Sequence, residues 1–354
     1  MTPPLRYRLL KTYVKTGLKV FFKKWQAANI HHVPLKGPFI FVANHQNAFL
    51  DALLVVCGTP RNVWFLARGD VFKTPFAIKL LTFMRIKPVF RFRDGHEAMR
   101  KNDRIMNECI DLLAQGRCIL LFAEGNHNEP WTSRELQRGF AHIALQYTEK
   151  TGNDITLIPT GFHYENHHKF RSRVLVNYGE PISVSNITGH ITDAREKLSV
   201  LAKHTGEKLR SLILTVPLDR DYLKRKDFLM ANRERKADMV EQLQADRAMM
   251  ETWTPDSVGK TKTGNSVFRW FDPLFLYGRI THIIPHSILG WIVKNKIKDD
   301  QFIGSVKVAL GVFLVPINYL LLTTIFYLVT REPLWTLGFF ISMPVSGLYA
   351  YSKG

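Results

Sequence analysis

Two long runs without a charged residue occupy the carboxyl-terminal end of the chain, and they restrict its possible folds more than any other feature. The runs span 308–330 and 333–352, with only Arg331 and Glu332 between them. A helix rises about 1.5 Å per residue, so the first run can cross a hydrocarbon layer about 30 Å thick and the second is just adequate. The pattern predicts a transmembrane helical hairpin, with a re-entrant hairpin as the alternative.

Lysines flank this predicted hairpin on both sides. Four precede it and one follows it: Lys294, Lys296, Lys298, Lys307 and Lys353. Positively charged flanks are retained on the cytoplasmic side of a membrane. We therefore expect residues 267–354 to be a membrane-anchoring region, with the preceding domain at the cytoplasmic face.

The first 30 residues repeat with a helical period that separates a basic side from an apolar side. Lysines recur every four residues at Lys11, Lys15, Lys19 and Lys23. Because like charges at this spacing destabilise an isolated helix, the row favours an anionic membrane surface as its partner. The whole chain carries 49 Lys and Arg against 30 Asp and Glu. Residues 1–30 are predicted to form an amphipathic interfacial helix; the alternative is a helix packed on the domain.

Short apolar runs alternate with helical patterns through the middle of the chain. The strand-like runs are 38–43, 62–67, 118–123, 155–161 and 173–178, and the clearest helical patterns are 97–115, 138–150 and 193–214. This alternation predicts an α/β domain over 31–215. Residues 216–266 are highly charged and then rich in Gly, Thr and Lys, which predicts an exposed helical arm and a linker.

Polar residues follow the first of these strands. Asn44 and His45 come directly after an apolar run, and Asp51 lies within the helical pattern that follows. A carboxylate bonded to one ring nitrogen would leave the other nitrogen of His45 as a general base. A single His/Asp pair among 13 histidines is also compatible with a structural role.

Three further segments carry polar or backbone-breaking residues at strand ends. Glu124 and Gly125 follow the run 118–123, and the glycine permits close approach of a ligand. Arg91 and Arg93 point the same way in an extended segment, which suits a phosphate. Their alternative is a solvated edge strand. Pro159 interrupts a later apolar strand.

These four segments, in this order, resemble the four sequence blocks of the glycerolipid acyltransferases, which include lysophosphatidate and glycerol-3-phosphate acyltransferases. The resemblance covers about 37–182. It implies a glycerol-3-phosphate acyltransferase-like fold, with a mixed sheet flanked by helices. It also implies transfer of a fatty acyl group from acyl-CoA or acyl carrier protein to a glycerol-phosphate or lysolipid hydroxyl, without a metal or bound cofactor. The acceptor would be 1-acyl-glycerol-3-phosphate, with glycerol-3-phosphate, dihydroxyacetone phosphate or another lysolipid as alternatives.

The resemblance also implies roles for particular residues. His45 would be the base and Asp51 would orient it. The substrate-binding residues would be Asn44, Arg91, Arg93, Glu124, Gly125, Arg138 and Pro159.

The chain departs from the family pattern at three points. Five residues separate His45 from Asp51 where most members have four, a spacing that some glycerol-3-phosphate acyltransferases share. Ala123 stands where proline is usual, and His127 stands near the place of a family arginine. Arg138 is a candidate replacement for that arginine.

Two other functional classes, zinc hydrolases and nucleic-acid-binding proteins, each explain part of the sequence. Histidine-rich segments at 127–129 and 163–168 would suit a zinc hydrolase, but no His-Glu-x-x-His helix or paired cysteines occur. A membrane-tethered nucleic-acid-binding protein would explain the formal charge of +19, but no recognisable nucleic-acid module is present. We therefore expect no nucleic-acid partner. The three cysteines, Cys57, Cys109 and Cys118, are unpaired in the sequence and predict buried thiols.

Overall fold

The computed structural model describes residues 4–69, 72, 74–89, 96–257 and 272–352. The strands are β1 (Lys24–Ala28), β2 (Phe39–Ala43), β3 (Val63–Arg68), β4 (Ile86–Val89), β5 (Cys118–Phe122), β6 (Thr156–Tyr164), β7 (Arg173–Tyr178) and β8 (Ile182–Ser183). The helices are α1 (Leu5–Phe21), α2 (Ala48–Gly58), α3 (Pro75–Phe83), α4 (His96–Ala114), α5 (Gly139–Thr151), α6 (Val184–Thr188), α7 (Ala194–Arg210), α8 (Tyr222–Asn232), α9 (Met239–Glu251), α10 (Pro273–Thr281), α11 (Ile283–Lys296), α12 (Ile303–Thr330) and α13 (Pro333–Ser352).

Within the described residues the strands form one mixed sheet. Their order is β1-β7-β6-β2-β5-β3-β4, and β8 pairs with the start of β6. The strands from β6 to β4 in this order are parallel, whereas β7 is antiparallel to β6 and pairs in parallel with β1. The predicted mixed sheet flanked by helices is confirmed. The parallel strands β2 and β5 end side by side, which brings the residues that follow them together.

Helices cover both faces of this sheet. One face packs against α1, α2 and the start of α12, through residues such as Leu18, Leu54 and Val308. The other face packs against α4, α5 and α7, for example through Ile110 and Ala144. All five residues of β2 are buried. A strand covered on both faces reads as a continuous apolar run, which is why the sequence revealed it.

Residues 216–257 do not form an exposed arm. Leu229 of α8 and Leu243 of α9 are buried in a cluster with Trp131. The guanidinium of Arg233 lies 2.6 Å from the carboxylate of Asp246, and both side chains are buried. The prediction of an exposed arm was wrong because it rested on the many charged residues of these helices. A few apolar side chains pack the helices onto the domain. The end of the predicted linker, 258–266, lies outside the described residues.

The amino-terminal helix packs on the domain and is shorter than expected. It ends at Phe21 and is followed by β1, which replaces part of the helix predicted over 1–30. Lys11 turns inward, and its Nζ donates to the carbonyls of Thr59 and Arg61, at 3.0 and 3.2 Å. Lys19 remains exposed. The lysine row therefore does not form one continuous lipid-facing surface.

The carboxyl-terminal helices pack against one another. The hydroxyl of Tyr277 on α10 lies 2.6 Å from Ser342 Oγ on α13, and the Asn318 amide of α12 donates to the carbonyl of Thr281 at 2.9 Å. Residues 331–332 separate α12 from α13. In the described part of the chain, one helix, 300–330, is long and apolar enough to cross a membrane, and only 6% of its most apolar stretch is buried.

Candidate active site

The catalytic loop, which we define as residues 44–47, joins β2 to α2. Asn44 anchors its start, because its Nδ2 donates to the carbonyl of Phe162 at 3.1 Å while the Phe162 N–H donates to its Oδ1 at 2.7 Å. These bonds extend the pairing of β2 with β6 past the last residue of the strand. Asn44 is buried. In this structure the side-chain amide of Asn44 binds the backbone of β6 and does not line the cleft.

Asp51 organises the rest of the loop from the first turn of α2. Its Oδ2 accepts hydrogen bonds from His45 Nδ1 and from the backbone N–H groups of Gln46 and Asn47, each at 2.8 Å. Its Oδ1 accepts from the hydroxyl of Tyr164 at 2.5 Å. The carboxylate is fully buried. Because an unpaired buried charge is strongly unfavourable, these four donors are what allow it to remain there.

Tyr164 is held in its neutral form. Burial raises the pKa of its phenol well above the ordinary value, and the neighbouring Asp51 carboxylate raises it further. The hydroxyl therefore keeps its proton and donates it to Asp51. Sequence patterns do not predict this contact, because Tyr164 lies 113 residues from Asp51.

The longer spacing between His45 and Asp51 does not prevent their contact. The extra residue is accommodated where the loop enters α2, since Ala48 adopts a positive φ of 39°. A left-handed backbone is uncommon for a residue with a Cβ. The turn therefore carries local strain, which the hydrogen bonds to Asp51 offset.

The ring of His45 faces a large cleft. Its side chain is 15% exposed and stacks on Phe122, with ring centroids 3.9 Å apart and an interplanar angle of 14°. Nδ1 is bound to Asp51, so Nε2 is the nitrogen directed away from the carboxylate. Among the described residues nothing hydrogen-bonds to Nε2. This arrangement leaves Nε2 able to accept a proton from a hydroxyl group in the cleft.

The cleft has a volume of about 1330 Å³ and opens along the carboxyl ends of the parallel strands. It is lined from both faces of the sheet. The first side, called here the α2 wall, consists of Ala48, Phe49, Ala52, Phe65 and Leu81. The second side, called the α5 wall, consists of Ile105, Met106, Cys109, Phe140 and Ile143. Two apolar walls therefore meet at His45.

Glu124 supports the catalytic loop from the end of β5. Its Oε2 accepts from the backbone N–H of His45 at 3.1 Å and from the guanidinium of Arg134 at 2.8 Å. Arg134 also donates to the carbonyl of Asn126. Glu124 is buried, whereas the side chain of Arg134 is partly exposed. The carboxylate thus orients the loop and holds one arginine at the site.

The other predicted substrate-binding residues differ in where they lie. Gly125 and Arg138 line the cleft, and Gly125 has a φ of +78°, which favours glycine. Pro159 is buried in β6 opposite Val42 and is absent from the cleft lining. Arg91 and Arg93 lie outside the described residues.

A second histidine approaches His45. The His127 ring lies edge-on to it, with centroids 5.4 Å apart, and His127 Nε2 is 3.7 Å from the carboxylate of Asp299. Burial and the nearby His45 lower the pKa of His127, while Asp299 opposes this shift. Phe302 packs against His127 and lines the cleft. The segment that leads into α12 therefore forms part of the site.

The start of α12 also binds the catalytic loop directly. Ser305 Oγ accepts from the Leu50 N–H at 3.1 Å and donates to the Asn47 carbonyl at 3.2 Å. A Cβ on Gly304 would lie 2.5 Å from the carbonyl oxygen of His167 and 2.7 Å from Asn47 Oδ1. Sequence reasoning missed the Ser305 contacts because they join residues 255 and 258 positions apart.

In the parts of the chain described above, no group of three or more His, Cys, Asp or Glu side chains is placed to hold a metal ion. The histidines at 163 and 167 are buried, and burial is the main cause that lowers their pKa values to about 3 and about 4. The three cysteine thiols are free and buried.

His45 and Asp51 lie in a segment that is similar to known proteins. Residues 24–163 match the family model described as Acyltransferase. The chain is similar to an uncharacterized acyltransferase of Schizosaccharomyces pombe, with 28% identity over 122 residues, covering 30% of this chain and 18% of that protein. It is also similar to glycerol-3-phosphate O-acyltransferases 1 and 2 of Saccharomyces cerevisiae. For the first, identity is 32% over 81 residues, covering 23% of this chain and 11% of the relative. For the second it is 29% over 119 residues, covering 33% and 16%.

The matched segments span less than a fifth of the length of these curated relatives. Among solved structures, the 1-acyl-sn-glycerophosphate acyltransferase PlsC of Thermotoga maritima has 17% identity and a TM-score of 0.42, covering 58% of this chain and 80% of that one. Residues 24–163 thus match the acyltransferase family model, and the relatives that share sequence with the chain include glycerol-3-phosphate O-acyltransferases.

Proposed function

We propose that this protein transfers a fatty acyl group from a thioester donor to a hydroxyl group of a glycerol-phosphate acceptor. The observation that carries the proposal is the His45–Asp51 pair at the mouth of an apolar cleft, within the segment that matches the acyltransferase family. The donor would be acyl-CoA or acyl carrier protein, and no metal or bound cofactor takes part.

In the proposed reaction, His45 Nε2 removes the proton of the acceptor hydroxyl while its oxygen attacks the thioester carbonyl. The tetrahedral intermediate then collapses to the ester and releases the thiolate, and the imidazolium donates its proton to that thiolate. Asp51, bonded to Nδ1, stabilises the positive ring between these steps. Arg91, Arg93 and Arg138 are proposed to bind the acceptor phosphate.

The two apolar walls of the cleft support a choice between the candidate acceptors. A donor acyl chain needs one apolar surface, and the second would suit an acceptor that already carries a chain. The α2 wall and the α5 wall on opposite faces of the sheet therefore support 1-acyl-glycerol-3-phosphate. The names of the two budding-yeast relatives and the five-residue His45–Asp51 spacing favour glycerol-3-phosphate as the second candidate.

We further propose that the protein resides in a membrane, anchored by α12 and α13 as a hairpin, with the acyltransferase domain on the cytoplasmic side. The exposed apolar surface of α12 supports this, because an apolar surface of this size marks a site of contact with a membrane or another protein. Labelling of cysteines introduced at the α12–α13 junction and after α13 tests the topology. A spanning hairpin would place the two positions on opposite sides of the bilayer.

The function is tested by assaying the purified protein in phosphatidylcholine nanodiscs with one labelled acyl-CoA. The acceptors are 1-acyl-glycerol-3-phosphate, glycerol-3-phosphate and dihydroxyacetone phosphate, with an acyl carrier protein donor as a parallel arm. Replacing His45 by Ala is expected to lower kcat about a thousandfold, in the middle of the range for loss of a general base. The His190→Ala variant, altered at an exposed histidine, is the matched control. Full activity in His45→Ala would refute the assignment.

The phosphate site is tested separately with Arg91→Ala. Loss of a charge-assisted contact to phosphate is expected to raise the KM of the acceptor about tenfold and to leave the KM of the donor unchanged. The comparison variant is Arg138→Ala, at a residue that lines the cleft. A rise in the donor KM alone would contradict the proposed role of Arg91.

A further inference from the structure

A second pocket, of about 290 Å³, lies at the other end of the parallel strands from His45. It is bordered by Trp64 near the start of β3, by Arg85 just before β4 and by Arg117 just before β5. These are the amino ends of parallel strands, whereas the catalytic loop follows the carboxyl end of β2. The pocket shares no lining residue with the catalytic cleft.

The pocket contains two arginines, and one of them lies over aromatic rings. The Arg85 guanidinium lies over the ring of Tyr7 at 4.8 Å and over that of Trp64 at 5.5 Å. Among the residues whose side chains are described, no carboxylate forms an ion pair with Arg85 or Arg117. Burial lowers the pKa of Arg85, and the nearby Arg117 contributes to this. Two arginines held together without a counter-ion favour an anionic ligand.

Two buried polar groups in the same pocket have no hydrogen-bond partner among the residues that the structure describes. They are the hydroxyl of Tyr7 and the indole Nε1 of Trp64. Tyr7 is only 5% exposed, so water does not readily replace the missing partner. Leaving a buried donor unsatisfied costs free energy. An oxyanion between the rings and the arginines would accept from both groups.

We infer that this pocket binds a phosphate group. Arginine provides a planar fork that matches phosphate oxygens, and the two further donors add the contacts that a tetrahedral anion can accept. The volume of about 290 Å³ accommodates a phosphate with a small substituent and excludes a whole lipid. The phosphate can belong to a lipid headgroup or to a soluble ion. Pro4 and Tyr7 on the pocket wall adjoin Leu5, which is 66% exposed, so apolar surface lies close to the pocket.

The first experiment uses the full chain in neutral detergent micelles and inorganic phosphate as the probe. The midpoint of thermal unfolding is followed as phosphate replaces chloride at constant ionic strength, since a ligand that binds the folded state raises Tm. The Arg85→Gln and Arg117→Gln variants are each expected to weaken the apparent affinity about tenfold. Arg8→Gln removes the same charge from an exposed position on α1 and is expected to leave the affinity unchanged.

The second experiment distinguishes the source of the phosphate. The same variants are compared in nanodiscs of phosphatidylcholine with and without phosphatidate. A stabilisation by phosphatidate that Arg85→Gln and Arg117→Gln abolish identifies a headgroup site, and a response to inorganic phosphate alone identifies a site for a soluble ion. Tyr7→Phe retains the ring under Arg85 and removes only the unpartnered hydroxyl, so it tests the pocket without loss of the stacking.

Two results would overturn the inference. One is the absence of any response of the wild-type protein to either probe. The other is a response that persists in Arg85→Gln and Arg117→Gln but disappears in Arg138→Gln, which would locate the phosphate in the catalytic cleft. Neither result depends on acyl transfer, so the proposed reaction is judged independently.

Discussion

Tyr164 reaches the Asp51 carboxylate from β6, on a different element from the catalytic loop. It engages Oδ1 while the loop engages Oδ2. Without the phenol, Oδ1 would be a buried oxygen lacking this donor, and only the three hydrogen bonds to Oδ2 would hold the carboxylate. The proposed general base must be held within a narrow range of positions, so we expect this contact to matter for catalysis as well as for stability.

The Tyr164→Phe variant is accordingly expected to lower kcat about tenfold, with little change in the KM of either substrate. The matched control is Tyr178→Phe, since the Tyr178 hydroxyl is also buried but has no hydrogen-bond partner in the described part of the chain. Steady-state kinetics with a Tm for each variant separate loss of positioning from loss of folding. Equal effects of the two substitutions on kcat would show that Tyr164 has no special role.

At the scale of single residues, the sequence was sufficient to select His45 and Asp51 as partners. It did not reveal how five intervening residues could still bring them together, because the answer depends on the backbone of Ala48. Nor could it reveal that Asn44 is used for strand pairing, since its partner Phe162 lies 118 residues away. Contacts of this kind depend on the register of the sheet.

Among the elements, the junction between α12 and the catalytic loop has the clearest experimental consequence. Gly304 allows the helix to approach the His167 carbonyl, and a methyl group there would overlap it. Gly304→Ala is expected to lower kcat about tenfold by displacing the loop, while membrane association persists. Gly311→Ala, in the same helix with open space around it, is expected to retain activity. Kinetics and membrane flotation of both variants provide the measurement, and equal activities would contradict the coupling.

Elements that are covered on both faces were predicted well from the sequence. The runs at 38–43 and 118–123 correspond to β2 and β5, and the pattern at 97–115 corresponds to α4. β1 was not predicted because its residues, Lys24–Ala28, are only partly buried at the edge of the sheet and lack a continuous apolar run. Apolar periodicity reports burial, so half-buried edge strands escape it.

For the molecule as a whole, buried histidines make stability depend on pH. His163 is fully buried, and its pKa in the folded state, about 3, lies below the ordinary value of about 6.5 in an unfolded chain. The unfolded state therefore binds more protons as the pH falls below about 6.5. The contribution of His163 to stability is therefore complete above that pH and is lost as the pH falls below it, toward the folded pKa.

Replacing His163 by Phe is expected to flatten this dependence, so that Tm falls less between neutral and mildly acidic pH than it does in the wild-type protein. The aromatic substitution retains a ring beside Trp131. His190→Phe changes an exposed histidine and serves as the control. An unchanged acid sensitivity in His163→Phe would mean that other groups dominate.

The attachment of α12 to the catalytic loop also affects how the enzyme can be shortened. Removing everything after residue 257 would eliminate the exposed apolar helices and favour solubility, but it would also remove Ser305. The N–H of Leu50 and the carbonyl of Asn47 would lose their partner beside His45. A water-soluble fragment that keeps a working base must therefore retain the first turns of a helix whose remaining length is suited to lipid.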